Sequence, residues 1–181
     1  GIWERGIAYA SAAGSGKHRI RVIDRESGAK VLLKGKRDEK EVVDLQVDRS
    51  SRDGQRRIAC VANGGALSVW QVPDHFDDRL RFDRSTRILH IPGSAPPPPF
   101  VFARFVPGQQ RLYAVRADRV ISVYYLSPPA AKPHDIRLIG VGEIVDVAFS
   151  PDAAYAAVLM TKSVVTFQLD NSGAQKKLAL D

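Results

Sequence analysis

An all-β architecture, arranged as the repeated four-stranded blades of a propeller, is what the sequence predicts, and three observations predict it. Short runs rich in β-branched and aromatic residues are separated throughout by Gly, Pro, Asn, Asp and Ser, the punctuation of strands and turns. No segment sustains helical periodicity over three turns. Four of the runs align with one another: "RIRVIDR" (19–25), "ALSVWQV" (66–72), "VISVYYL" (120–126) and "SVVTFQL" (163–169). Their equivalent positions, Ile23, Trp70, Tyr124 and Phe167, stand 47, 54 and 43 residues apart. A propeller blade of four strands repeats at about 40–45 residues, with extra length taken up in loops.

The remaining strands fall into place around these four. "GIAYAS" precedes "RIRVIDR", and "KVLLKG" follows it, so the first unit has three strands and lacks the innermost one. "EVVDLQV", "FVFARFV" and "EIVDVAF" share one register as innermost strands, each followed by a turn and then "RIACVAN", "RLYAVRA" or "YAAVLMT". Two of those turns, in "FVPGQQRLYAV" and "FSPDAAYAAVL", place Pro at the same offset, where it presets a tight reversal. Outer strands "TRILHIPG", "IRLIGVG" and "KKLAL" complete the later units. The expected division is about three and a half blades: 1–35 (incomplete), then 41–93, 99–142 and 143–181. Seven blades at this period need about 280 residues. The chain is therefore expected to be part of a seven-bladed ring, completed by further sequence or another chain; a small four-bladed ring is the alternative.

Composition narrows the class. With 181 residues, 44% hydrophobic and 26% charged, the chain can bury a core and is not of the disordered type. No apolar run approaches the roughly 20 residues of a membrane-spanning helix. "GIWERGIAYA" carries Glu4 and Arg5 and lacks a signal-peptide layout. Cys60 is the one cysteine, which excludes an intramolecular disulfide and makes the cytoplasm the default expectation. The net charge of +7 is uneven, with nine Lys/Arg against four Asp/Glu between Lys17 and Lys40. Such a segment attracts RNA, an acidic peptide or a membrane surface. It also describes the lysine-rich edges that keep sheets from aggregating.

Motifs for chemistry are incomplete. "AAGSGKHR" (12–19) misses a phosphate-binding loop, having Ser11 where the first glycine belongs and His18 where Ser or Thr belongs. It reads as a hairpin turn using Gly14 and Gly16. His18, His75, His90 and His134 are scattered without metal-ligand spacing. Asp74, Asp77 and Asp78 lack the glycine and terminal glutamate of a calcium loop. Cys60 sits in the apolar run "RIACVAN" and reads as a buried small residue. No serine has the strand–elbow–helix context of a nucleophile, and the innermost strands offer mainly Asp44, Arg104 and Asp146. No catalytic set, metal site or cofactor site is expected. "PGSAPPPPF" (92–100) and "SPPAAKP" (127–133) read as stiff polyproline connections, the first of which also fits a proline-reading domain.

At the residues quoted above the chain resembles the WD-repeat family, with departures. The Gly-His ahead of the innermost strand is Gly35-Lys36 and Gly93-Ser94 here. The Asp five residues before the repeat's Trp is replaced by His18, Gly65, Arg119 and Lys162, and the Trp survives only as Trp70. The buried His–Asp network of typical repeats is thus missing, leaving packing to hold the blades. The order "HRIRVIDRESGAKVLLKG", "VVDLQV", "RRIACVANGGALSVWQV", "ILHI" is similar to the opening blades of the enhancer-of-mRNA-decapping scaffolds (the Ge-1 and Pdc1 family). That resemblance implies a non-enzymatic cytoplasmic scaffold of processing bodies whose partners are proteins or short peptides, decapping and decay factors among them. A generic WD-repeat adaptor, or a propeller binding RNA through the basic 17–40 segment, is the alternative. Loops 35–41 and 93–100, joining outer to innermost strands, are expected on one rim. The candidate contact surface is Lys34, Lys36, Arg37, Asp38, Glu39 and Lys40.

Overall fold

The structure, a computed structural model, describes residues 1–12, 18–34, 41–49, 54–73, 86–93, 98–127 and 132–180. Among them are sixteen strands and no helix. The strands form four four-stranded antiparallel sheets, each a meander in chain order. The first contains β1 (Ile2–Trp3), β2 (Gly6–Ala12), β3 (His18–Asp24) and β4 (Lys30–Lys34). The second contains β5 (Val42–Val47), β6 (Gln55–Ala62), β7 (Leu67–Pro73) and β8 (Thr86–Ile91). The third contains β9 (Phe100–Phe105), β10 (Arg111–Arg116), β11 (Val120–Tyr125) and β12 (His134–Arg137). The fourth contains β13 (Ile144–Phe149), β14 (Tyr155–Met160), β15 (Ser163–Gln168) and β16 (Asn171–Ala179). The chain divides into two compact units, 1–103 and 104–181.

Three elements differ from the sequence reading. The first sheet has four strands rather than three, because Ile2 and Trp3 pair with Ile7 and Gly6. Two residues are too few to show an alternation, so this strand left no pattern to read. β12 is His134–Arg137 rather than "IRLIGVG". The Leu138–Gly142 stretch is irregular instead, since Gly140 lies against the Met160 sulfur and Gly142 takes φ 97°. A side chain at Gly140 would collide with Met160 and Val165. β16 is nine residues long and begins at Asn171, five residues ahead of "KKLAL".

In unit 1 the core lies between the first two sheets. Ala8, Ile20, Val22, Val31 and Leu33 of the first meet Ile58, Cys60, Trp70 and Val72 of the second in one buried cluster. Cys60 is 1% exposed, as its apolar run implied. Trp3 is buried at the margin, with the Arg56 guanidinium 5.8 Å from its ring centre. Arg56 donates to the Asp48 carbonyl at 2.8 Å, and Arg57 pairs with the Asp48 carboxylate at 3.4 Å. All three of these charged residues are buried, so their charges depend on one another rather than on water.

Unit 2 builds its core on one face of the fourth sheet. Val147, Val158, Val165, Met160 and Phe167 are buried there. The Phe149 ring meets Tyr113 of β10 edge-on, 5.1 Å between centres, a favoured aromatic geometry. Burial raises the phenol pKa of both Tyr113 and Tyr124 to about 12. Side-chain ties join the third and last strands of two sheets. Ser68 Oγ lies 2.9 Å from His90 Nδ1 across their register pair, and Ser122 Oγ donates to Asp135 at 2.7 Å across the equivalent pair. Packing therefore does not hold the blades unaided.

Asp48→Ala should lower unfolding free energy by about 3 kcal/mol, since it strands buried Arg57. Asp170→Ala, which removes a 92%-exposed partner of Arg111, should cost less than about 1 kcal/mol; urea unfolding of both variants checks the contrast. The two tyrosines set an alkaline limit. Their folded-state pKa lies above the unfolded value of about 10, so the stability they carry is complete below pH 10 and lost as pH rises towards 12. Thermal melts across that window should fall less steeply in Tyr113→Phe and Tyr124→Phe.

Candidate functional site

The predicted contact loop is defined in this structure by its ends. Lys34 is the last residue of β4, whereas Lys36, Arg37, Asp38, Glu39 and Lys40 lie outside the described residues. Gly14, Gly16, His75, Asp74, Asp77 and Asp78 lie outside them too, as do residues 94–97 of the first proline-rich stretch and 128–131 of the second. Glu41, where the loop returns, accepts the Asn63 backbone N–H at 2.6 Å. Asn63 opens the β6–β7 turn, a sharp reversal in which Gly64 and Gly65 adopt φ of 94° and 81°, conformations that favour glycine.

The same turn receives the second predicted loop. Gly93 at that loop's start packs against the carbonyl of Gly64 and the amide of Ala66. At its end, Pro99 lies over Gly65, and Phe100 N–H donates to the Gly65 carbonyl at 3.3 Å. The turn 63–66 thus gathers the return of loop 35–41 and both ends of loop 93–100 at one edge. Unit 2 repeats the arrangement: Thr161 N–H donates to the Glu143 carbonyl at 3.0 Å, and Glu143 N–H to Thr161 Oγ1 at 3.2 Å. Glu41 and Glu143 each stand directly before the first strand of a sheet.

Two first strands carry a matching irregularity. The β5–β6 register slips between Val42 and Asp44, and the β13–β14 register between Ile144 and Asp146. Each slip is a bulge whose extra residue, Val43 or Val145, is about half exposed (55% and 51%). Beyond each bulge the following aspartate is back in register, Asp44 opposite Val61 and Asp146 opposite Leu159. Asp44 Oδ2 accepts the backbone N–H of Ala103 on β9 at 2.8 Å. Asp146 Oδ1 instead pairs with Arg104 at 3.0 Å and accepts Val147 N–H at 2.9 Å. Sequence reasoning named these three charged residues as the acids and base of the innermost strands but missed the bulges, because "VVDL" and "IVDV" read as plain alternation.

What this ensemble offers is backbone and charge at sheet edges. Among the described residues no three His, Cys, Asp or Glu side chains come close enough to share a metal ion. His90 and His134 lie on the last strands of different sheets, each beside a serine hydroxyl. The described residues also include no helix long and apolar enough to cross a membrane.

With four four-stranded antiparallel meanders, the chain has a WD40-like β-propeller fold of about four blades. It is similar to the solved WD40 domain of Toxoplasma gondii coronin, with a TM-score of 0.66 and 12% sequence identity. The match covers 92% of this chain and 41% of that one, so the chain spans well under half the length of the structure it matches. No protein-family model matches the sequence, and neither does any curated protein sequence.

Gly65→Ala should destabilise unit 1 by more than Gly28→Ala. Both glycines have positive φ, which costs an alanine about 1 kcal/mol, but only at Gly65 would the new methyl meet Pro99 and Phe100. Chemical denaturation of the two variants measures the difference.

Proposed function

We propose that this chain is a non-enzymatic protein-interaction module whose partners, proteins or short peptides, bind the loops gathered at the β6–β7 turn. The observation that carries the reading is that gathering itself. One glycine turn fixes the return of loop 35–41 and both ends of loop 93–100, so the described ends of two connections meet at one edge. Loops held on a strand frame in this way are where binding residues concentrate in β architectures. The WD40-like fold supports the same reading at the level of architecture. In this proposal Lys34, Lys36, Arg37, Asp38, Glu39 and Lys40 form the contact surface, and their mixed charge selects an acidic or mixed-charge segment.

We further propose that the module belongs to cytoplasmic mRNA decapping and decay. The support is the sequence resemblance of residues 18–91 to the decapping scaffolds, carried by the order of "RVI", "LLKG", "ACV" and "VW" elements. The bare fold is compatible with many other complexes, so this step rests on the sequence alone.

Immobilised chain should retain decapping and decay factors from a cytoplasmic extract, and reversing the charges of Lys34, Lys36, Arg37 and Lys40 should reduce recovery at least about tenfold. Recovery of other proteins with equal dependence on those residues would keep the interaction role and discard the decapping context. Retention of RNA that falls steeply with salt, and is abolished by the same reversal, would favour the nucleic-acid reading instead.

A further inference from the structure

The Asn63–Gly64 pair at the head of the β6–β7 turn carries a chemistry that the interaction role does not use. The side-chain amide of an asparagine is open to attack at Cγ by the backbone nitrogen of the next residue. The attack closes a five-membered ring. It needs that nitrogen accessible, free of hydrogen bonds and unshielded by a side chain of its own. Glycine meets the last condition best, because it has no Cβ to obstruct the approach.

The turn meets all three conditions. Asn63 and Gly64 are both exposed. The hydrogen bonds of the reversal pass around the pair: Ala62 N–H donates to the Ala66 carbonyl at 2.9 Å, and Gly65 N–H to the Ala62 carbonyl at 2.8 Å. The Asn63 backbone N–H is held by the Glu41 carbonyl, so its main chain is anchored while its side chain is not. Among the described residues, neither the Asn63 side-chain amide nor the Gly64 N–H has a hydrogen-bond partner. The space where a Gly64 side chain would stand is open, with nothing within 4 Å. The other asparagine of the chain, Asn171, offers a contrast. It is followed by Ser172, whose Cβ crowds the nitrogen, and it lies in β16 paired with Gln168, where the backbone is held extended.

We propose that Asn63 is a site of intramolecular deamidation, and that the isoaspartate it yields loosens the turn holding the two loop ends. The Gly64 nitrogen loses its proton to water and bonds to Asn63 Cγ. The Cγ–Nδ2 bond breaks and ammonia leaves, giving a succinimide. Water then opens the ring at either carbonyl: opening at Cγ leaves aspartate, and opening at the backbone carbonyl leaves isoaspartate. The net change consumes one water and releases one ammonia, with no oxidant or reductant. Isoaspartate routes the main chain through Cβ and Cγ, adding an atom to a reversal where Gly93 packs against the Gly64 carbonyl and Pro99 over Gly65. The lengthened turn cannot keep both the Gly65 N–H bond to Ala62 and the Phe100 N–H bond to Gly65. This chemistry goes beyond the interaction role and requires no partner.

Incubating the full chain in mildly alkaline buffer tests it. Peptide mass spectrometry should show position 63 gaining about one dalton, at least about tenfold faster than position 171, as ammonia is released. An isoaspartyl methyltransferase should then label the peptide carrying position 63. As that product accumulates, hydrogen exchange at the Gly65 and Phe100 amides should quicken at least about tenfold. Asn63→Gln, which would need a six-membered ring, should show neither change. Freshly prepared Asn63→Asp, which has the new charge without the extra main-chain atom, should keep both amides protected. Equal rates at the two asparagines would overturn the proposal, as would amides that exchange no faster in the modified chain. Fast exchange in fresh Asn63→Asp would overturn the role given to isoaspartate.

Discussion

A four-stranded sheet has two broad faces, and a sequence that fills both with apolar side chains must find cover for both. That constraint governs this chain. β6 reads "QRRIACVA" and is buried from Arg56 to Ala62 without a break, so neither face of the second sheet tolerates water. Short meanders of this kind gain little stability alone, since a hairpin or single sheet hides too little surface. Stability has to come from face-to-face stacking, and the buried cluster between the first two sheets is its clearest instance. The turns, bulges and ion pairs are arranged around that requirement.

Polar groups enter this framework where stacking would leave the backbone or a charge unsatisfied. Asp48 ties down two buried arginines at the margin of the unit 1 core, Arg56 through its carbonyl and Arg57 through its carboxylate. Ser68 and Ser122 are buried hydroxyls that each find a side chain directly across the ladder, a histidine in one sheet and an aspartate in the other. Gln175 takes the same role at an exposed edge, its amide accepting from Ile139 N–H and donating to the Arg137 carbonyl where β12 has ended. These contacts replace, piece by piece, the buried His–Asp network that the repeat sequences lack.

Much of the architecture was legible in the sequence because strands of six or seven residues with β-branched alternation leave a strong period, as "RIRVIDR" and "VISVYYL" do. Elements set by something other than that period were not. β1 is too short to alternate, "IRLIGVG" looks like a strand until the Met160 sulfur is placed beside Gly140, and a bulge within "VVDL" is invisible without its partner strand. For the proposed contact surface, strand order offered an expected address and no geometry. Two loops could be assigned to one rim from strand order, but that a single glycine turn holds their ends required the fold. The serine ties had a faint signal, the shared "SV" of "ALSVWQV" and "VISVYYL", which periodicity treats as an ordinary solvent-facing residue.

The meander order of every sheet has a consequence for how the chain assembles. Each strand pairs with its neighbour in sequence, so the ladder contacts close short loops and carry little entropic cost of closure. Contact between sheets is sparser, as between β2 and β5 of unit 1. A chain wired this way behaves as a nearly one-dimensional array, in which each sheet's persistence depends on its own ladder and on the adjacent sheet. Damage confined to one meander therefore spreads by steps rather than all at once.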